Sequence, residues 1–314
     1  MQIPYLSQSD MIALGITTED MIVAIEGVIR GSLDGRVWAA PKATIKTPGD
    51  ARYMMAALAA MDAPDVLAVK TVVMNPDNTA NGLAQINGLV TMLNSVTGLP
   101  LAILDGNWIT AVRTAGLSAT ATRHMAREDA SVIGFVGCGV QASSHLVAFA
   151  EMFPLREMVI FGRGAANQDR LAAEGAALGL KVTRAASGQE VAETADLLVT
   201  TVTHTGGADP FLDASGLKPG GFAAVVDLAA PWKRDSFAAL DRVIIDDLAQ
   251  EETQPMRLCD PAHIHGDLTG LVSGRITGRS SDADTTAFVF RGHALGDLAL
   301  SALVLGRYQA RSGT

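Results

Sequence analysis

Two features of the chain have residue types and spacing suited to chemistry. The first is Gly137-x-Gly139-x-x-Ala142, the G-x-G-x-x-G/A pattern of a dinucleotide-binding turn. Gly137 permits a tight strand-to-helix turn, Gly139 lets the backbone approach a pyrophosphate, and the small Ala142 lets the helix pack close to its sheet. The N–H groups at the helix start, those of Val140 and Gln141 among them, then face phosphate oxygens. The second feature is Lys70, the lone charge in the run Val66-Leu67-Ala68-Val69-Lys70-Thr71-Val72-Val73. An ammonium desolvated in such a strand has its pKa lowered toward neutrality, which suits it to proton transfer.

The end of the next strand bears on the choice of dinucleotide. An acid there would accept the ribose 2′-hydroxyl of NAD. The residues present are Phe161-Gly162-Arg163-Gly164, with no acid and one arginine. A guanidinium forms charge-assisted bonds with a 2′-phosphate, so Gly162 and Arg163 favour NADP and leave NAD open. Thr200, Thr201, Val202 and Thr203 follow a later apolar run, where ligands of such sheets lie. Their hydroxyls serve either the ribose and nicotinamide or simply the strand.

The elements that must position these residues are legible in outline. From about residue 130, apolar runs at Val132–Val136, Met158–Phe161, Val182–Thr183, Leu197–Thr201, Ala223–Val226 and Val243–Ile245 alternate with helical stretches. That alternation predicts βαβ units and a doubly wound parallel sheet. Upstream, Thr17-Thr18-Glu19-Asp20 predicts a capped helix start, with Gly31 and Gly35 bounding the helix. Val37 to Val73 reads as short β-like runs, Asn75 to Asn81 as a polar loop, and Leu89–Leu93 and Leu99–Leu104 as strands around Gly98. Thr110–Met125 and Ala294–Tyr308 read as helices. The fold class is therefore α/β, with a Rossmann doubly wound parallel sheet.

Composition sets bounds on partners. The 314 residues carry 24 Lys and Arg against 33 Asp and Glu, a formal charge of −9, which argues against a broad nucleic-acid surface. No apolar run approaches the roughly 18–20 residues that span a bilayer, and Leu298–Leu305 reads as part of a packed helix. The opening residues lack the pattern of a signal peptide. Two cysteines, Cys138 and Cys259, cannot build a disulfide framework, so a reducing cytoplasm is expected. His263-x-His265 has metal-compatible spacing but no accompanying Cys or carboxylate cluster, and no metal site is expected. Cys138, inside the glycine turn, reads as a small packing residue.

Longer segments resemble the ornithine cyclodeaminase/mu-crystallin family of NAD(P)-dependent enzymes. The resemblance rests on Gly98-Leu-Pro-Leu-Ala-Ile-Leu-Asp105-Gly106-Asn-Trp-Ile-Thr110-Ala-Val-Arg113-Thr114-Ala115 and on Gly137-x-Gly139-x-Gln141-Ala142. It continues in Gly274-Arg-Ile-Thr-Gly278-Arg279, Thr286-Ala-Phe288 and Gly292-His-Ala294-Leu-Gly-Asp297. It implies a smaller α+β substrate-binding and dimerisation domain at 1–115 with 294–314 and a Rossmann dinucleotide-binding domain at 116–293. A homodimer and an active site in the cleft between the domains are also implied. The shared chemistry is hydride transfer between nicotinamide C4 and the carbon of a C–N bond beside a carboxylate.

Such a substrate needs a cation for its carboxylate and a proton donor for its nitrogen. The resemblance assigns Lys70 as the donor and Arg113 as the carboxylate ligand, with Thr114 beside the cofactor. It also assigns Lys42, where the family carries arginine, to the carboxylate; lysine keeps the charge but loses the bidentate fork. Arg52 and Lys46 are nearby alternatives. Cyclodeaminases of the family carry an aspartate in the loop that corresponds here to Asp227-Leu228-Ala229-Ala230-Pro231-Trp232. Ala229 falls at that position and Asp227 two residues earlier, open as a catalytic acid/base, a cofactor contact or a loop cap. His204 and His293 are further proton-shuttle candidates. The favoured reading is a reductase of an α-imino acid or cyclic ketimine carboxylate. A cyclodeaminase, an alanine dehydrogenase-like enzyme and a non-catalytic nucleotide-binding protein remain as alternatives.

Overall fold

The computed structural model describes residues 2–203 and 209–313. They fall into two compact units, Met1–Gly116 with His293–Thr314 and Leu117–Gly292.

In the first unit the chain forms β1 (Tyr5–Leu6), α1 (Gln8–Ile12), α2 (Thr18–Leu33), β2 (Val37–Ala39), β3 (Ala43–Lys46), β4 (Tyr53–Asp62), β5 (Asp65–Met74), β6 (Ile86–Leu93), β7 (Pro100–Asp105) and α3 (Gly106–Met125). The sheet order is β1-β7-β6-β5-β4-β2, with β3 also paired to β4. All pairs are antiparallel except β1 with β7. Helix α2 starts with a capping box: Thr17 N–H donates to Asp20 at 3.0 Å and Asp20 N–H to Thr17 Oγ1 at 3.1 Å. It runs past Gly31 to Leu33, because Gly31 is held inside the helix against Val37. The segment expected as a polar loop forms a 3-10 turn, Pro76–Asn81, capped by the Asn75 side chain accepting from Asp77 N–H.

The β4–β5–β6 ladder pairs Ala57 with Lys70 and Lys70 with Val90. Alternation therefore places Val66, Ala68, Lys70 and Val72 on the buried face. Tyr5, Trp38, Leu58, Val73 and Leu89 lie on the opposite face and are exposed. Helix α3 starts in close contact with the sheet. A side chain at Gly106 would come within 2.5 Å of the Gly88 backbone in β6, so only glycine lets the helix start there.

The second unit continues from the last turns of α3 with β8 (Val132–Val136), α4 (Val140–Met152), β9 (Glu157–Phe161), α5 (Ala165–Ala177), β10 (Lys181–Arg184), α6 (Gly188–Thr194), β11 (Leu197–Thr200), β12 (Phe222–Val225), β13 (Arg242–Ile245), α7 (Leu248–Glu252), β14 (Gly266–Asp267), α8 (Leu268–Val272) and β15 (Thr286–Val289). Its eight strands are all parallel, in the order β10-β9-β8-β11-β12-β15-β13-β14. The winding direction reverses between β8 and β11, the topological switch at which doubly wound folds bind ligands. Strand β15 was not among the expected strands. It inserts between β12 and β13, its four residues fully covered on both sides as in a parallel core. The chain then returns to the first unit as α9 (Ala294–Ser312), which packs on α2, β4 and β5.

Candidate active site

Lys70 is 1% exposed, on a central strand. That excludes an edge lysine reaching solvent. Its Nζ donates to Asp297 Oδ1 at 2.6 Å. Asp297 sits in the first turn of α9, where the helix dipole favours an anion. Arg113, on α3, brings Nε within 3.0 Å of the same Oδ1 as an ion pair. The alignment falls short of a hydrogen bond, and both Nε and Nη1 of Arg113 are buried without an accepting partner. The Thr110 hydroxyl, one turn earlier on α3, is buried and unpartnered as well.

The electrostatics follow from this geometry. Burial, with the Arg113 charge, brings the Lys70 ammonium down to about 8 against the pull of Asp297. Burial alone would raise the Asp297 carboxyl, but Arg113 and Lys70 outweigh it and hold the group below the usual carboxylate range. Half-buried Lys42 adds positive charge felt by both Lys70 and Asp297. Two buried cations thus share one carboxylate, leaving a buried excess of positive charge and unused guanidinium donors. An unmet buried donor costs about 1–3 kcal/mol, and an incoming carboxylate would supply the missing acceptor.

Other residues singled out for this chemistry lie elsewhere. Arg52 is in the exposed turn between β3 and β4 and pairs with Asp50 at 2.7 Å, so the structure does not bring it into the buried cluster. Lys46 is likewise exposed at the end of β3. Thr114 spends its hydroxyl on Thr110 O at 2.6 Å, within its own helix. The His293 ring accepts from Leu295 N–H as the cap of α9. His204 lies outside the described residues.

In the second unit the glycine turn joins β8 to α4. Gly137 has φ of +97°, and a Cβ there would meet Thr201 O at 2.7 Å; only glycine fits. A Cβ at Gly139 would meet nothing within 4 Å. Gly139 caps α4 without any side-chain hydrogen bond, so no side chain occupies the start of the helix. At the carboxyl ends of β8, β9 and β11 lies a cavity of about 610 Å³, lined by Gly137, Gly139, Gly162, Arg163 and Thr201–Thr203. That volume is in the range of small-molecule sites. The residues fit a dinucleotide, with a glycine cradle, an uncapped helix N-terminus and, at β9, a basic rather than acidic strand end.

Ser187–Gln189, Phe211, Ala230 and Pro231 also line the cavity. No sequence motif marks them, since sheet order alone brings their loops together. Val140, Gln141 and Thr114 are not in the lining. Gln141 instead accepts, through its backbone carbonyl, from His145 Nδ1 at 2.7 Å. Asp227 is also outside the lining. It is buried and accepts from Thr200 Oγ1 at 3.1 Å and Val202 N–H at 3.0 Å. The Cys138 thiol, pushed up to about 11 by burial, packs toward Phe161 O. His265 accepts from Val243 N–H at 3.1 Å. Among the described residues no three His, Cys, Asp or Glu side chains form a metal-binding group.

The second unit thus carries a doubly wound sheet with a glycine turn beside a cavity, and the first a buried Lys70–Asp297–Arg113 cluster. The chain belongs to the ornithine cyclodeaminase/mu-crystallin family, whose pattern matches residues 5–312. It is 27% identical over 312 residues to an alanine dehydrogenase of Archaeoglobus fulgidus, covering 95% of this chain and 93% of that one. It is 27% identical over 259 residues to a Delta(1)-pyrroline-2-carboxylate reductase of Bacillus cereus, covering 77% and 78%. The structure of Thermococcus litoralis Delta(1)-pyrroline-2-carboxylate reductase, in complex with NADH and L-proline, shares the fold with a TM-score of 0.87 at 23% identity, over 99% of each chain. No described helix is long and apolar enough to cross a membrane.

Proposed function

We propose that the protein is an NAD(P)H-dependent oxidoreductase that reduces the C=N bond of a small α-imino acid or cyclic ketimine carboxylate to an L-amino acid. The observation that carries this reading is the buried Lys70–Asp297–Arg113 cluster, which combines an acid of pKa about 8 with unspent guanidinium donors. The relatives that act on pyrroline-2-carboxylate and alanine support the same substrate class.

The dinucleotide would be held by Gly137, Gly139, the α4 N-terminus and Thr201–Thr203, and when bound in its reduced form it supplies a hydride. Arg113 and Lys42 bind the substrate carboxylate, fixing the neighbouring carbon. The Lys70 ammonium donates a proton to the nitrogen as negative charge develops there. Asp297 keeps Lys70 charged and oriented between turnovers. Arg163, exposed at the end of β9, together with the N-terminus of α5, whose cap Gly164 offers no side-chain bond, favours the 2′-phosphate of NADP.

Ring closure with ammonia loss, the cyclodeaminase alternative, is disfavoured. Ala229 offers no carboxylate in the corresponding loop, and Asp227 already accepts from Thr200 and Val202. The exposed sheet face bearing Trp38, Leu58, Val73 and Leu89 suits burial against a second copy in a homodimer.

The test is loss of absorbance at 340 nm on mixing the protein with NADPH or NADH and pyrroline-2-carboxylate, piperideine-2-carboxylate, iminosuccinate, or pyruvate with ammonia. Turnover of at least one is expected. No turnover of any, alongside proline formation from ornithine with catalytic NAD, would replace this reading with the cyclodeaminase.

A further inference from the structure

Asp227 lies two residues beyond β12, beside the end of β11, and its carboxylate is fully engaged. Oδ1 accepts from the Thr200 hydroxyl and Oδ2 from Val202 N–H. The nearby backbone amides of Asp227 itself and of Ala229 also favour its charged form. Thr200 Oγ1 in turn accepts from Trp232 Nε1 at 3.2 Å. The two residues that follow, Leu228 and Ala229, have φ of 58° and 57°. Side-chain-bearing residues rarely take this left-handed conformation, and it persists where the surroundings over-determine it. The carboxylate and the buried Ala229 methyl, 1% exposed, provide that determination here.

The geometry has a consequence for the dinucleotide cavity. The residues directly after Thr200 (Thr201, Val202, Thr203) form one stretch of its lining, and those directly after the left-handed pair (Ala230, Pro231) form another. One carboxylate therefore ties together two stretches of lining that come from different strand ends. We infer that Asp227 is a positioning residue for the dinucleotide cavity, setting the distance between the β11 and β12 wall segments, and is not a catalytic acid. Burial pushes the carboxyl up, and the donors on it pull the other way, leaving it at about 7. With these donors on its oxygens, the carboxylate is poorly placed to serve a substrate.

The inference rests on the dinucleotide reading of the cavity and not on the identity of the imine. The test is therefore NADPH binding to the full chain, followed by fluorescence without substrate, together with steady-state kinetics. Asp227→Ala is expected to weaken NADPH binding at least tenfold, with the kinetic loss falling on the KM for NADPH rather than on kcat. Asp227→Asn retains an acceptor for Val202 N–H and is expected to recover affinity to within threefold of wild type. Should Asp227→Ala fail to fold, Thr200→Val removes the other partner and is expected to weaken NADPH binding threefold or more. Unchanged NADPH affinity in the folded variants would overturn the inference, as would a collapse of kcat at saturating NADPH in Asp227→Asn. Wild-type protein that binds NADPH yet reduces no imine would overturn the proposed function alone.

Discussion

The two candidate sites of the molecule are built from different materials. The one in the first unit is made of side-chain charge: Lys70 and Arg113 on Asp297, all three buried. The one in the second is made of backbone geometry, a glycine turn and two helix starts without side-chain caps. A charged cluster stands or falls with individual residues, because each removal leaves a buried partner uncompensated. A backbone cradle tolerates change at most positions and is lost only where a side chain fills the space the ligand needs. The difference makes the two regions separable by mutation.

The largest effect is expected at Lys70. Lys70→Ala removes the proton donor, and imine reduction should fall by roughly 10²–10⁴-fold, the usual range for a general acid. NADPH affinity, measured by fluorescence, should stay near the wild-type value. Equal losses of both would break the comparison. Arg113→Ala comes next. Losing charge-assisted bonds worth about 1.5–3 kcal/mol should raise the KM for the carboxylate substrate by roughly 10–150-fold, read from initial rates.

Two glycines sharpen the contrast from the other side. Gly139→Val places a side chain in open space and should weaken NADPH binding about tenfold or more while leaving the thermal midpoint near wild type. Gly137→Ala, strained at φ of +97° and pressed against Thr201, should lower both. A smaller effect is expected at Arg163. Arg163→Ala should reduce the preference for NADPH over NADH by about tenfold, as expected for the loss of a charge-assisted bond. An unchanged ratio of kcat/KM values for the two cofactors would remove Arg163 from the 2′-phosphate site.

The same contrast explains what could be read in the sequence. The Gly137 turn was legible because its three small residues are local and each has one steric task. Lys70 was legible as a charge in an apolar run. Its partner Asp297 is 227 residues away. It stood at the end of the Gly292–Asp297 segment that carries the resemblance, but nothing local says which strand it will face. Arg52 was a reasonable candidate by proximity in sequence, but the β3–β4 turn leaves it in solvent beside Asp50. Strand β15 was missed because a four-residue run between loops carries little periodic signal, and its insertion between β12 and β13 is decided by packing. The task of Asp227 depended on sheet order, which sets the ends of β11 and β12 side by side.

The smallest expected effect gives the most direct test of the central claim, that a buried Lys70 ammonium held by Asp297 protonates the substrate nitrogen. The protonated form of Lys70 is the active one for reduction, so kcat/KM should fall as pH rises through about 8 in the wild type. Replacing Asp297 by Asn removes the charge that favours the ammonium, which moves the Lys70 pKa down. Titration of the substrate itself is common to both proteins and cancels in the comparison. With kcat/KM for imine reduction measured from pH 6 to 10, the break in Asp297→Asn should lie below that of the wild type by about half a unit or more. Coincident breaks in the two proteins, or a wild-type profile flat across that range, would contradict the assignment of Lys70 as the proton donor.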